Sequence, residues 1–142
     1  MKYLLIFLPL FCFGQNKYLN KSDIGAICFS FGAGVWQGAE EVVHFKYKTF
    51  HSIHPNINEQ YFNPAISWKN KYRMSEPFQS CMTGYSDFYH YTRLQSRTNY
   101  TLAMVFSYGD FKKFNLWHIL IKGALCCVAS GCGRTLVYNI IY

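Results

Sequence analysis

The chain has 142 residues, which is the size of one domain at most. It is 51% hydrophobic and 20% aromatic but only 15% charged, against about 25% charged residues in an average soluble protein, so either much of the apolar surface faces lipid or the fold exposes many of its 12 tyrosines. The net charge is +7, yet no Lys/Arg-rich run or nucleic-acid-binding motif occurs, and the small basic groups border apolar segments; this pattern argues against nucleic acid as a partner and favours lipid headgroups.

The first fifteen residues have the pattern of an export signal. Lys2 supplies a positive start, residues 3–13 form an apolar run, and Gly14 is a small residue at which cleavage is expected. The apolar run is too short to cross a membrane core of about 30 Å. Residues 1–15 are therefore predicted to be a signal peptide or an N-terminal anchor, and residues 16–142 a single helical domain.

The first predicted helix begins in residues 24–39, which contain no charged side chain, and extends to about residue 50. Gly34 and Gly38 are four residues apart on it, a spacing that lets two helix backbones approach closely within lipid. In a soluble helix each glycine would cost up to about 1 kcal/mol relative to alanine. The spacing predicts helix–helix self-association through Gly34 and Gly38; burial in a soluble core is the alternative.

A polar insertion at about residues 49–86 separates this helix from the next one. It contains three of the four prolines and mixes aromatic with basic side chains, as membrane interfaces do. Residues 86–108 predict a second helix capped by Ser86 or Asp87, and residues 114–142 predict a third that is long enough to span a membrane. The sequence thus predicts an all-α fold of two to three membrane-embedded or buried helices with a polar loop insertion.

Four charged residues lie within or beside the apolar stretches. Glu40 and Glu41 follow the first stretch, whereas Lys122 and Arg134 interrupt the third helix. Charges in a spanning helix face the interior of a bundle or extend to the interface. The two glutamates are therefore predicted to pair with Lys122 or Arg134 as buried charges.

Two acid-x-x-His motifs suggest a metal site. Glu41 precedes His44 by three residues near the end of the first helix, and Asp87 precedes His90 at the start of the second. This spacing places a carboxylate and an imidazole on one helical face, and di-metal bundles use paired motifs of this kind. With His118 as a further ligand, the five residues form a hypothetical divalent-metal site. Polar contacts between helices are the alternative, because the second motif has Asp and the third helix has no acid.

Two segments carry a resemblance to known proteins. Residues 63–72 read NPAISWKNKY, and residues 86–90 read SDFYH. They resemble a set of uncharacterised small bacterial membrane proteins with a Ser-Trp-x-Asn-Lys-Tyr core and a Thr-Asp-x-x-His element. The resemblance covers about residues 34–142 and departs at Ser86, where those proteins have threonine. It implies a membrane protein with a structured polar insertion, and no particular activity.

Taken together, these features predict a small exported, membrane-embedded protein with a structural or interaction role. Its expected partner is membrane lipid, and its expected location is the membrane of a bacterial cell. Two alternatives stay open at this point. One is a metal-dependent membrane enzyme built on the acid-x-x-His motifs; the other is a soluble periplasmic or secreted helical binding module.

Overall fold

The computed structural model describes residues 19–73, 83–108 and 115–141. These residues form helices and turns, with no strand in the described ranges, which confirms the predicted all-α class. The predicted signal peptide or anchor at residues 1–15 lies outside the described residues. In chain order the α-helices are α1 Lys21–Phe45, α2 Tyr47–Ile53, α3 Glu59–Phe62, α4 Pro64–Ser67, α5 Phe88–Tyr108 and α6 Leu116–Ile141, with 3₁₀ turns at Trp68–Arg73 and Thr83–Tyr85.

Helix α1 is the centre of the fold and packs against both α5 and α6. Helix α5 is antiparallel to α1, because Ser22 donates a hydrogen bond to the carbonyl of Phe106 while Trp36 contacts the ring of Tyr91. Helix α6 is parallel to α1, because its residues meet those of α1 in the same chain order from the first turns to the last. The three long helices therefore form a bundle in which α5 and α6 flank α1.

The start of α1 is set by a reciprocal cap. The backbone N–H of Asp23 donates to Oδ1 of Asn20 at 2.9 Å, and the N–H of Asn20 donates to Oδ2 of Asp23 at 2.8 Å. Such a capping box satisfies two N–H groups that the helix leaves unpaired. The helix ends at Phe45, because Lys46 leaves helical geometry with φ −122° and ψ 24°. The chain then resumes as α2, so the single helix predicted to about residue 50 is two helices.

Glycines allow α1 and α6 to touch backbone to backbone. A Cβ atom on Gly34 would overlap the carbonyl oxygen of Ser130, and one on Gly133 would overlap the carbonyl oxygen of Phe31. A Cβ on Gly38 would lie 2.8 Å from the carbonyl oxygen of Arg134. Gly34 and Gly38, expected to mediate self-association, thus pack against α6 of the same chain.

The interior consists of small and polar side chains. Its buried apolar residues include several alanines and valines, and two of its buried polar residues bond to helix backbones. Ser96 donates to the carbonyl of Ala33 at 3.2 Å, and Thr92 donates to the carbonyl of Phe88 at 3.0 Å. Interfaces between helices in membranes are enriched in the same small and hydroxyl-bearing residues.

Candidate functional site

Glu41 and His44 of the first acid-x-x-His motif have separate partners. Oε2 of Glu41 lies 2.7 Å from Nη2 and 2.9 Å from Nε of Arg134, and the hydroxyl of Tyr138 donates to the same oxygen at 2.9 Å. This ion pair joins α1 to α6, as the pairing of Glu41 with Arg134 was expected to do, but half of the Arg134 side chain is exposed rather than buried. His44 is exposed, and its ring contacts Tyr89 at a centroid distance of 5.4 Å.

Asp87 and His90 of the second motif form a capping pair at the start of α5. The backbone N–H of His90 donates to Oδ1 of Asp87 at 2.9 Å, and Nδ1 of His90 lies 2.8 Å from Oδ2. The carboxylate is fully buried and also accepts a hydrogen bond from the hydroxyl of Ser86 at 3.3 Å. Asn70 donates to the carbonyl of Ser86 at 3.0 Å. The segment that resembles the Ser-Trp-x-Asn-Lys-Tyr core is thereby joined to the cap of α5.

The fifth predicted metal ligand, His118, lies elsewhere. Its Nε2 is 3.2 Å from Oδ1 of Asp23 at the start of α1. No three His, Cys, Asp or Glu side chains converge as a metal-binding group within the described ranges. Glu41, His44 and His118 therefore each have a different partner, Asp87 and His90 pair with each other, and the divalent-metal site stays a hypothesis.

Asp23 is the centre of a buried charge cluster that the sequence did not indicate. Its Oδ1 lies 2.8 Å from Nζ of Lys122, and both side chains are almost completely buried. Burial raises the pKa of Asp23, but the hydrogen bonds from Lys122 and Asn20 outweigh this effect, so the pKa lies below its ordinary value. Lys122, expected beside Glu40 or Glu41, instead pairs with Asp23, because α6 runs parallel to α1 and brings its early turns to the start of α1.

A polar cavity of about 340 Å³ lies where α1 faces α5. Oε1 of Glu40 is 4.0 Å from Nε of Arg93 across it. Burial raises the pKa of Glu40 above its ordinary value, although the charge of Arg93 acts in the opposite direction. Besides Glu41, the cavity is lined by Gln37, Glu40, Arg93, Ser96, Arg97 and Tyr100.

A second and larger cavity of about 710 Å³ is a groove between α5 and α6. Ser30 of α1 and Lys122 of the charge cluster contribute to its lining, but most of the exposed atoms that face it are apolar. Its volume is within the range of about 300–1,000 Å³ that is usual for ligand sites. The remaining lining residues are Tyr100, Ala103, Met104, Ser107, Ile119, Gly123, Cys126, Cys127 and Ser130.

The outer surface of α6 is apolar and exposed. Residues Leu116–Ile140 are long and apolar enough to cross a membrane, with a mean hydropathy of 1.4. Only 17% of this apolar stretch is buried inside the protein. Trp117 is 74% exposed and Val128 is 63% exposed. Soluble monomers rarely leave a large contiguous apolar patch uncovered. No second helix of this kind is found in the described residues.

Sequence reasoning missed Asp23, Arg93 and Arg97 as members of these clusters. The signal for Arg93 and Arg97 was present, because their spacing of four residues puts them on one face of a helix. The partner of Lys122 had no such signal, since it depends on the parallel course of α1 and α6. Comparisons of the chain with family models, curated proteins and solved structures give no match.

Proposed function

We propose that this chain is an exported, membrane-embedded protein that acts as a small structural or interaction component of a bacterial membrane. In this proposal α6 crosses the bilayer and α1 lies beside it. The observation that carries the proposal is the exposed apolar surface of α6, since a helix that served as a soluble core would bury most of that surface. In a bilayer the same surface contacts lipid tails, which are as apolar as its side chains.

The positions of the charges support this proposal. Asp23 and Glu41 stand at either end of the uncharged residues 24–39, and each is paired with a basic residue of α6. Glu41 follows Asp23 by eighteen positions, which corresponds to about 27 Å along a helix. That length is close to the hydrocarbon thickness of about 30 Å. Charged pairs at the two ends leave an uncharged stretch of α1 at the depth of the lipid tails.

Two further features fit the same role. The small and hydroxyl-bearing interior of the bundle is the packing that helices use in lipid. The resemblance of residues 63–72 and 86–90 to small bacterial membrane proteins has the same implication, and it includes no catalytic activity.

Membrane fractionation tests the proposal. The full chain is expressed with its first fifteen residues, and membranes are washed with high salt, then with alkaline carbonate, then with detergent. We expect the protein to stay with the membrane through both washes and to enter solution only with detergent. Release by carbonate, together with a soluble marker protein, would remove the proposal and leave a soluble helical module. N-terminal sequencing of the retained protein tests export, because cleavage near residue 15 identifies a processed signal.

A further inference from the structure

One face of α5 changes from basic to apolar along its length. Arg93, Arg97, Tyr100, Met104 and Ser107 follow one another at alternating intervals of four and three residues. This spacing aligns them in one stripe on the helix. The two arginines line the polar cavity, Met104 and Ser107 line the groove between α5 and α6, and Tyr100 lines both.

The hydroxyl of Tyr100 marks the point at which the two cavities adjoin. It lies 3.4 Å from Oε1 of Gln37, which lines the polar cavity. It also lies 2.7 Å from Oγ of Ser130, which lines the groove. The two cavities are therefore successive parts of one amphipathic surface, with a charged end and an apolar end.

The charged end has an excess of positive charge. Arg93, Arg97 and Arg134 face Glu40 and Glu41 in this region, which leaves a formal surplus of one positive charge. Glu41 is held by Arg134, and Arg93 lies 4.0 Å from Glu40. The surplus charge is therefore that of Arg97, next to Arg93 on the same face of α5, and it matches the single negative charge of a phosphodiester. Guanidinium groups bind phosphate oxygens through paired, charge-assisted hydrogen bonds.

The apolar end is a long groove between α5 and α6. Tyr100 and Ser107 are about 10 Å apart along α5, and Ile119 and Ser130 are about 16 Å apart along α6. The groove thus follows both helices for several turns, beside the exposed apolar surface of α6. A linear hydrocarbon has the form that such a groove accepts.

We propose that this surface binds one anionic phospholipid, with an acyl chain in the groove between α5 and α6 and the phosphate at Arg93 and Arg97. The inference deepens the proposed membrane role and rests on it, because the bilayer supplies the lipid. It specifies a lipid class: a phosphodiester headgroup with a net negative charge, next to at least one hydrocarbon chain.

Lipid retention tests the headgroup. The detergent-solubilised protein is incubated with equal amounts of phosphatidylglycerol and phosphatidylcholine that carry identical acyl chains, and bound lipid is counted by native mass spectrometry. We expect phosphatidylglycerol to be retained in preference. Arg97→Gln should reduce this preference about tenfold, as expected for the loss of a charged hydrogen bond. The matched control is Lys48→Gln on α2, an exposed basic residue outside both cavities; it should leave the preference unchanged.

A pair of glycine variants tests the groove. Gly123 lines the groove and Gly131 does not, and a Cβ added to either residue meets no atom within 4 Å. Leucine at either position also favours helix formation over glycine, so both variants should fold. We expect Gly123→Leu to abolish lipid retention and Gly131→Leu to retain lipid as the unmodified chain does.

Two results would overturn the inference: equal retention of the two lipids by the unmodified chain, or undiminished retention by Gly123→Leu. These outcomes are separate from the fate of the membrane proposal. A protein that stays in carbonate-washed membranes without preferential lipid keeps its membrane role and lacks this site, whereas release by carbonate removes the membrane role itself.

Discussion

At the scale of single residues, the contact between α1 and α6 depends on glycines, which have no side chain. Gly34 and Gly133 let the two backbones approach to a distance at which any Cβ would overlap a carbonyl oxygen of the other helix. The sequence indicated that Gly34 and Gly38 belong to a close helix contact, but not with which helix. A spacing of four residues between glycines occurs both in helix contacts within one chain and in contacts between two chains, so the spacing alone does not identify the partner helix.

Alanine substitutions test this contact. Gly34→Ala should lower the stability of the bundle by about 1–3 kcal/mol, the usual cost of overpacking, because the neighbour it meets is the rigid backbone of Ser130. Gly131→Ala, which meets nothing within 4 Å, should be neutral or stabilising by up to about 1 kcal/mol. Thermal unfolding in detergent micelles, followed by circular dichroism, measures both. Equal melting temperatures for the two variants would mean that α1 and α6 do not make this contact.

At the scale of helices, the sequence predicted more of the long elements than of their boundaries. Helix α5 was expected over residues 86–108 with Ser86 or Asp87 as its cap, and it extends over Phe88–Tyr108 with Asp87 capping it. The break at Lys46 was not predicted, because no proline or glycine marks it. The short helices within the polar insertion begin after asparagine caps, at Asn58 and Asn63, and those residues were signals that the sequence contained.

The charge pairs show how far helix direction matters. The acids and bases were recognisable as candidates for pairing because they interrupt apolar stretches. Which acid meets which base depends on whether α6 runs parallel or antiparallel to α1, and neither periodicity nor composition encodes that. The parallel course puts Lys122 beside Asp23 and Arg134 beside Glu41. The partner of Lys122 is therefore a residue that the sequence had assigned to no site.

The pair of Asp23 and Lys122 predicts a stability that falls in acid. The pKa of Asp23 in the folded chain lies below its unfolded value. Its contribution is therefore fully present above the unfolded value of about 3.9, and it is lost as the pH falls through the folded value. Melting temperatures measured from pH 7 down to pH 2 should fall for the unmodified chain.

Asp23→Asn isolates this contribution from the other carboxylates. The variant should be less stable at pH 7 by about 3–5 kcal/mol, because the buried ion pair between Asp23 and Lys122 would lose its negative charge. Its melting temperature should then depend less on pH than that of the unmodified chain. The double variant Asp23→Asn, Lys122→Met should recover part of the loss, since it also removes the buried positive charge. Parallel pH profiles for the unmodified chain and Asp23→Asn would refute the assignment.

At the scale of the whole molecule, α6 combines an exposed apolar surface with two basic residues that are paired with acids of α1. Exposing the apolar surface to water costs free energy, and so does placing the charge of Lys122 or Arg134 in lipid without a counter-charge. The bundle avoids the second cost, because each of these bases is paired with an acid of α1. A helix whose two bases are paired with acids of its neighbour and whose apolar side chains face outward is suited to lipid on at least one side.

A charge placed at the middle of α6 distinguishes the two surroundings. Val128 is 63% exposed and lies at the centre of Leu116–Ile140. If that surface contacts lipid, Val128→Arg should cost about 2.5–3.5 kcal/mol on membrane-insertion scales and should reduce the fraction of protein retained in carbonate-washed membranes. If the surface contacts water, the change should fall within about 0.5 kcal/mol. Leu116→Arg is the matched control, since Leu116 is also exposed but lies at the end of the same segment, where an arginine reaches the headgroups. Loss of retention with Val128→Arg alone would place the centre of α6 in the hydrocarbon, whereas equal behaviour of the two variants would place it in water or against another protein.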